Sequence, residues 1–143
     1  MISPIAEVPN ARSSGSTASR HARTDVHWAT LCVVATTVGS EQAAHALAQS
    51  LVQQRAAACV QVEPVTSHFE WQQQLRAEPE WRLTCKTLPD VLQRLTALIR
   101  AVHEYEVPQI TMRTERCLDD YASWVKAQVS LKAPAPDHLS QAA

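Results

Sequence analysis

The run His103-Glu104-Tyr105-Glu106, closed by Pro108, sets an imidazole, two carboxylates and a phenol side by side. These groups can act as donors to a divalent cation, nitrogen from His103 and oxygen from Glu104 and Glu106. A histidine with an ordinary titration is largely neutral at pH 7 and free to coordinate. One histidine is not a site, because zinc and copper take three or four converging donors. The rest must come from Glu104, Glu106 or a neighbouring subunit. The alternative for His103 is structural: a residue ending a helix and bonding its last carbonyls, which the helix dipole favours.

Lys86 is the second candidate, standing in the alternating run Glu80 to Thr87. With Tyr105, Glu106 and the aromatic residues Trp71 and Trp124 it can line a small-molecule pocket at a subunit boundary. It can equally form an ion pair that fixes how subunits register. Nothing asks for catalysis. The serines and threonines lack a nucleophile-elbow context, and Asp119-Asp120 most simply serve the positive end of the helix they precede. No enzyme activity and no organic cofactor are expected.

Composition narrows the partners. A net charge of -1 gives no footprint for nucleic acid or an anionic membrane. No apolar run approaches the ~20 residues of a membrane span. Cys32, Cys59, Cys85 and Cys117 form no Cys-x-x-Cys pair and read as reduced, largely core thiols, which points to a cytoplasmic protein.

Elements to position these groups follow from periodicity. Trp28 to Thr37 is β-branched and apolar, a buried central strand. Gly39-Ser40 breaks it, and Ser40 can cap a helix from Glu41 to Arg55 whose apolar set is Ala44, Leu47, Ala48, Leu51 and Val52. Ala58 to Glu63 alternates as a second strand that Pro64 should end. Ser67 to Gln72 and Glu80 to Thr87 alternate again, with a hairpin connection expected between them. Pro89-Asp90 opens a second helix, striped by Val91, Leu95, Leu98 and Val102. Gln109 to Thr114 reads as the last strand, and a third helix from about Leu118 carries Tyr121, Trp124, Val125 and Val129. The order β-α-β-β-α-β plus a terminal helix is the split βαβ, ferredoxin-like arrangement. Its aromatic hairpin is poorly buried in so small a monomer, so self-association is expected.

The pieces also resemble the CutA divalent-cation tolerance family. The matching segments are Val33-Val-Ala-Thr-Thr37, Arg55-Ala-Ala-Ala-Cys-Val60, Phe69-Glu-Trp71, Lys86-Thr87, His103-Glu-Tyr-Glu-Val-Pro108 and Asp120-Tyr-Ala-Ser-Trp124. The resemblance implies a ferredoxin-like α+β subunit in a homotrimer whose hairpins and edge strands pair between protomers. It also implies binding of copper or another divalent cation. It marks Lys86, Tyr105, Glu106 and Trp124 as positions of interest. Copper-binding relatives carry a Cys and a His where this chain has Thr36 and Val102, so only His103 of that set remains and metal binding should be weak. The family's Trp-Glu-Gly turn reads Trp71-Gln-Gln73 here and should turn by another geometry. A PII-like regulatory trimer, binding a small anionic ligand in clefts near Lys86, is the competing expectation. Three regions are expected: a disordered extension over 1–27, the domain over 28–131, and a flexible tail over 132–143.

Overall fold

The computed structural model describes residues 25–130, so most of the expected N-terminal extension and the whole of the expected tail lie outside the described residues. Four strands form one antiparallel sheet in the order β2-β3-β1-β4. They are β1 (Trp28–Val38), β2 (Cys59–Trp71), β3 (Gln74–Thr87) and β4 (Ile110–Leu118). The helices are α1 (Glu41–Gln53), α2 (Leu92–Val102), entered through a 3-10 turn over Pro89–Val91, and α3 (Asp119–Val129). This is the expected split βαβ order with a terminal helix.

β1 is buried from Leu31 to Val38 because it is central and covered on both faces. Its even-numbered residues Val34 and Val38 join Leu83 and Cys85 of β3 under α1 and α2, which contribute Leu47, Leu51, Leu95 and Ile99. Its odd-numbered Leu31 and Val33 pack with Val125 and Val129 of α3. Strand alternation sends these two sets to opposite faces. Burial with a second thiol nearby pushes the Cys85 thiol up to about 12, so it packs as a small hydrophobe.

Local chemistry explains the ends. Ser40 accepts from the amide of Ala43, the cap its type predicts. α1 closes at Arg55, whose φ of 56° is left-handed, and the Arg94 guanidinium donates to the carbonyls of Gln54 and Arg55 at 2.6 and 2.7 Å. That bond pair satisfies carbonyls a helix leaves open at its end. Val102, expected in the apolar stripe, is 61% exposed, because α2 ends there and turns its last residue outward.

The hairpin differs most from the expectation. β2 does not stop at Pro64 but runs on to Trp71, and β3 begins at Gln74, through Pro79. An edge strand has one side without ladder partners, so the missing proline N–H costs it nothing there. β1 pairs with β3 only as far as Val38 opposite Trp81. Beyond that rung Val65–Trp71 and Gln74–Glu80 pair only with each other, and project as a two-stranded arm. Gln72 and Gln73 close it, with φ of 51° and 65°. Two left-handed central residues are the geometry a glycine turn would use, so the turn keeps that geometry without its glycine. Trp81 packs against the core under α1 and α2, while Phe69, Trp71 and Leu75 of the arm are exposed.

Candidate functional site

The turn between α2 and β4 meets the sheet where the arm leaves it. His103 is the residue capping α2, yet its ring does not bond the last carbonyls of that helix. Nε2 lies 2.9 Å from the Thr37 carbonyl oxygen and 3.1 Å from Thr36 Oγ1. The amide of Tyr105 donates to Nδ1 at 3.2 Å. An amide can only donate and a carbonyl can only accept, so the partners assign the hydrogen to Nε2 and the lone pair to Nδ1. Nε2 thus ties the turn to the end of β1, while Nδ1 holds the turn itself together.

Tyr105 follows from that anchoring. Its hydroxyl donates to Glu80 Oε2 at 2.8 Å. Gly39 makes room for it: a Cβ there would sit 3.2 Å from the tyrosine oxygen. Burial, and then the bond to Glu80 with the surrounding carboxylates, pushes the Tyr105 hydroxyl up to about 12. Glu80 is only 8% exposed and, among the described residues, accepts from no other group.

Tyr105 stands between two concavities. One, of about 330 Å³, runs between α1 and α2 over Ala43, Leu47 and Leu98, with His103 at its end. The other, about 810 Å³, opens between the arm and the turn. Its acids are Glu78, Glu80, Glu104 and Glu106; its aromatic walls are Phe69 and Trp71. Arg76 and His68 are its basic members, and Arg76 reaches Glu78 at 3.8 Å.

The structure therefore brings Trp71, Glu104, Tyr105 and Glu106 to one cleft, with His103 directly behind it. Lys86 and Trp124 do not line it. Lys86 donates to Glu115 Oε2 at 3.4 Å, and the other oxygen of Glu115 accepts from Arg113 at 2.9 Å. The Arg113 and Lys86 cations hold the Glu115 carboxyl below its usual range. Trp124 stacks on Tyr121, ring centroids 5.8 Å apart, and packs against the α3 core. Glu80 and Thr37 were missed by sequence reasoning. The signal for Glu80 was its position, a carboxylate opening the alternating run Glu80 to Thr87.

For a tightly held soft metal the fit is poor within the chain. Among the described residues no three His, Cys, Asp or Glu side chains converge as ligands. The one lone pair of neutral His103 already accepts the Tyr105 amide.

The fold defines a small α+β domain of the ferredoxin-like class, with a cleft at its arm. A family model described as "CutA1 divalent ion tolerance protein" matches residues 32–128, and the chain belongs to that family. Protein CutA, chloroplastic, of Arabidopsis thaliana is 38% identical over 96 residues, 66% of this chain and 53% of the relative, so the chain spans about half that protein's length. The divalent-cation tolerance protein CutA of Thermus thermophilus is 39% identical over 79 residues, covering 54% of this chain and 77% of that one. The structure of CutA from Synechococcus elongatus PCC7942 superimposes with a TM-score of 0.71 at 28% identity, over 75% of this chain and 97% of that chain. The family is named for tolerance of cations and not for a reaction. No helix among the described residues is long and apolar enough to cross a membrane.

Proposed function

We propose that this protein serves divalent-cation tolerance without catalysis, as a cytoplasmic homotrimer that meets cations weakly at the cleft of each subunit. The observation that carries the reading is the cleft's charge: four glutamates face Arg76, which is itself beside Glu78. Carboxylate oxygens spread over a wide cleft attract hard and borderline divalent ions but do not chelate them tightly. His103, Glu104 and Glu106 remain the proposed cation-facing set, with His103 acting on cations only if its Tyr105 bond opens. The number three comes from the family resemblance. The exposed arm with Phe69, Trp71 and Leu75 supports association as such. The free thiols support a reducing compartment.

The competing regulatory reading, an anion bound near Lys86, has less support, because Lys86 is ion-paired with Glu115 and does not line the cleft. Calorimetric titration with copper and with manganese tests the proposal on wild type, His103→Ala and Glu80→Gln. Weak binding of both metals is expected, reduced in Glu80→Gln and, by less, in His103→Ala. Tight copper binding, one ion per subunit and lost in His103→Ala, would overturn it.

A further inference from the structure

The segment Arg55-Ala-Ala-Ala-Cys-Val60 leads from α1 into β2, and its first residue holds a conformation that costs an arginine energy. Arg55 has a φ of 56°; its amide donates to the Val52 carbonyl, and the Ala56 amide donates to the Leu51 carbonyl, both at 3.0 Å. In this helix-closing motif glycine is usual at the left-handed position, because a Cβ is disfavoured there. The turn itself gives no reason for an arginine.

The reason lies in what its two ends reach. The carbonyls of Gln54 and Arg55 accept from the Arg94 guanidinium of α2 at 2.6 and 2.7 Å. The Arg55 guanidinium in turn donates to the Gln128 carbonyl at 3.1 Å, in the last turn of α3. Arg94 thus closes α1 and Arg55 closes α3, each at an end where carbonyls are left open and a cation is favoured. α1 and α2 pack on one face of the sheet and α3 on the other. Among the described residues Arg94 bonds only the end of α1, so it reaches α3 through Arg55.

α3 is the element that most needs such a hold. It has 11 residues, too few to persist as a helix alone in water. Its buried residues are Val125 and Val129, which cover Leu31, Val33, Ala58 and Val91.

We propose that α3 is a strap closing that apolar face of the sheet, and that Arg94 and Arg55 form a clasp setting its seat from the opposite face. Arg94 fixes the left-handed turn, the turn aims the Arg55 guanidinium, and the guanidinium holds the end of α3. None of these residues lines the cleft at the arm, and the clasp acts whether or not cations meet the protein there.

Amide hydrogen exchange on the full-length protein in its native oligomeric state, followed over α1, α3 and the arm, tests it. Arg55→Gly removes the guanidinium and relieves the left-handed residue. The end of α1 should then exchange no faster than in wild type, while Trp124 to Val129 exchange about two- to tenfold faster, the scale of one exposed hydrogen bond. Arg94→Met keeps an apolar stem and loses the paired bonds; it should speed exchange in α3 as well, although it touches no residue there. In the double variant the two effects on α3 should not add, because both act through one guanidinium. If Arg94→Met fails to fold by circular dichroism, Arg94→Lys replaces it, with the same direction expected. Unchanged exchange of α3 in Arg55→Gly or in the folded Arg94 variant, or additive effects in the double variant, would overturn the proposal. Faster exchange everywhere, the arm included, would report a general loss of stability and overturn it equally.

Discussion

Replacing Tyr105 by phenylalanine removes one oxygen and leaves the ring in place. Glu80, 8% exposed, then loses the hydrogen bond that its carboxylate accepts at 2.8 Å. A hydrogen bond to a charged group contributes about 1.5–3 kcal/mol net, and stranding the buried acceptor sits in the same range. The cleft lets water reach one oxygen, which places the expected loss at the lower end, about 1.5 kcal/mol. The pH dependence gives an independent reading. The folded protein holds the Tyr105 proton up to about 12, above the ordinary tyrosine value of 10.0, so the native state binds this proton more tightly than the unfolded chain. Stability from this group is therefore full below about pH 10 and lost as pH rises towards 12. An insulated group shifted this far would contribute ~2.7 kcal/mol. Tyr105 is 38% exposed, and solvent screening reduces that to about 1 kcal/mol. Urea denaturation at pH 8 and at pH 11 on wild type and Tyr105→Phe measures both quantities. The variant should be weaker at pH 8 and lose less on going to pH 11. Equal stability at pH 8 together with superimposable alkaline losses would refute the reasoning, since the bond would then have no energetic weight.

Gln73→Gly should stabilise the arm by about 0.5–1 kcal/mol, because a left-handed residue with a Cβ costs more than the freedom glycine loses; amide exchange at Trp71 and Gln74 reads it. Ile99→Ala, a fully buried position under the sheet, should cost about 2–5 kcal/mol in urea denaturation. Light scattering during size exclusion should give a trimer mass, and a mass for one chain at every concentration would contradict the proposed assembly. Limited proteolysis should cut before Trp28 sooner than anywhere from Leu83 to Met112; the reverse order would argue against the proposed domain bounds.

Much of the fold was legible because hydrophobic alternation and helix capping are local signals. The β1 run, the Ser40 cap and the Leu95 stripe of α2 needed nothing beyond their neighbours in sequence. The arm was misread because proline ends a strand only where its nitrogen would have to donate, and whether Pro64 lies at an edge is a fact of the whole sheet. Gln72-Gln73 carries no turn residue, so its left-handed pair had no compositional trace. The site was half legible. His103 and Tyr105 stood out by type, but their partners Thr36, Thr37 and Glu80 come from strands far away in sequence. Thr36 matched a position where relatives carry a metal ligand, and here its hydroxyl lies beside the imidazole instead.

The projecting arm makes dilution a structural variable. Val65–Trp71 extends roughly 20 Å past the last rung shared with β1, at about 3.3 Å per residue. A two-stranded ribbon of that kind is marginal in water without a third surface against it. In the proposed assembly its order would be governed by mass action: each tenfold fall in the concentration of the covering chain would remove about 1.4 kcal/mol from the seated form. Because the arm forms one wall of the cleft, the abundance of the protein would, in that assembly, set how many clefts are fully formed.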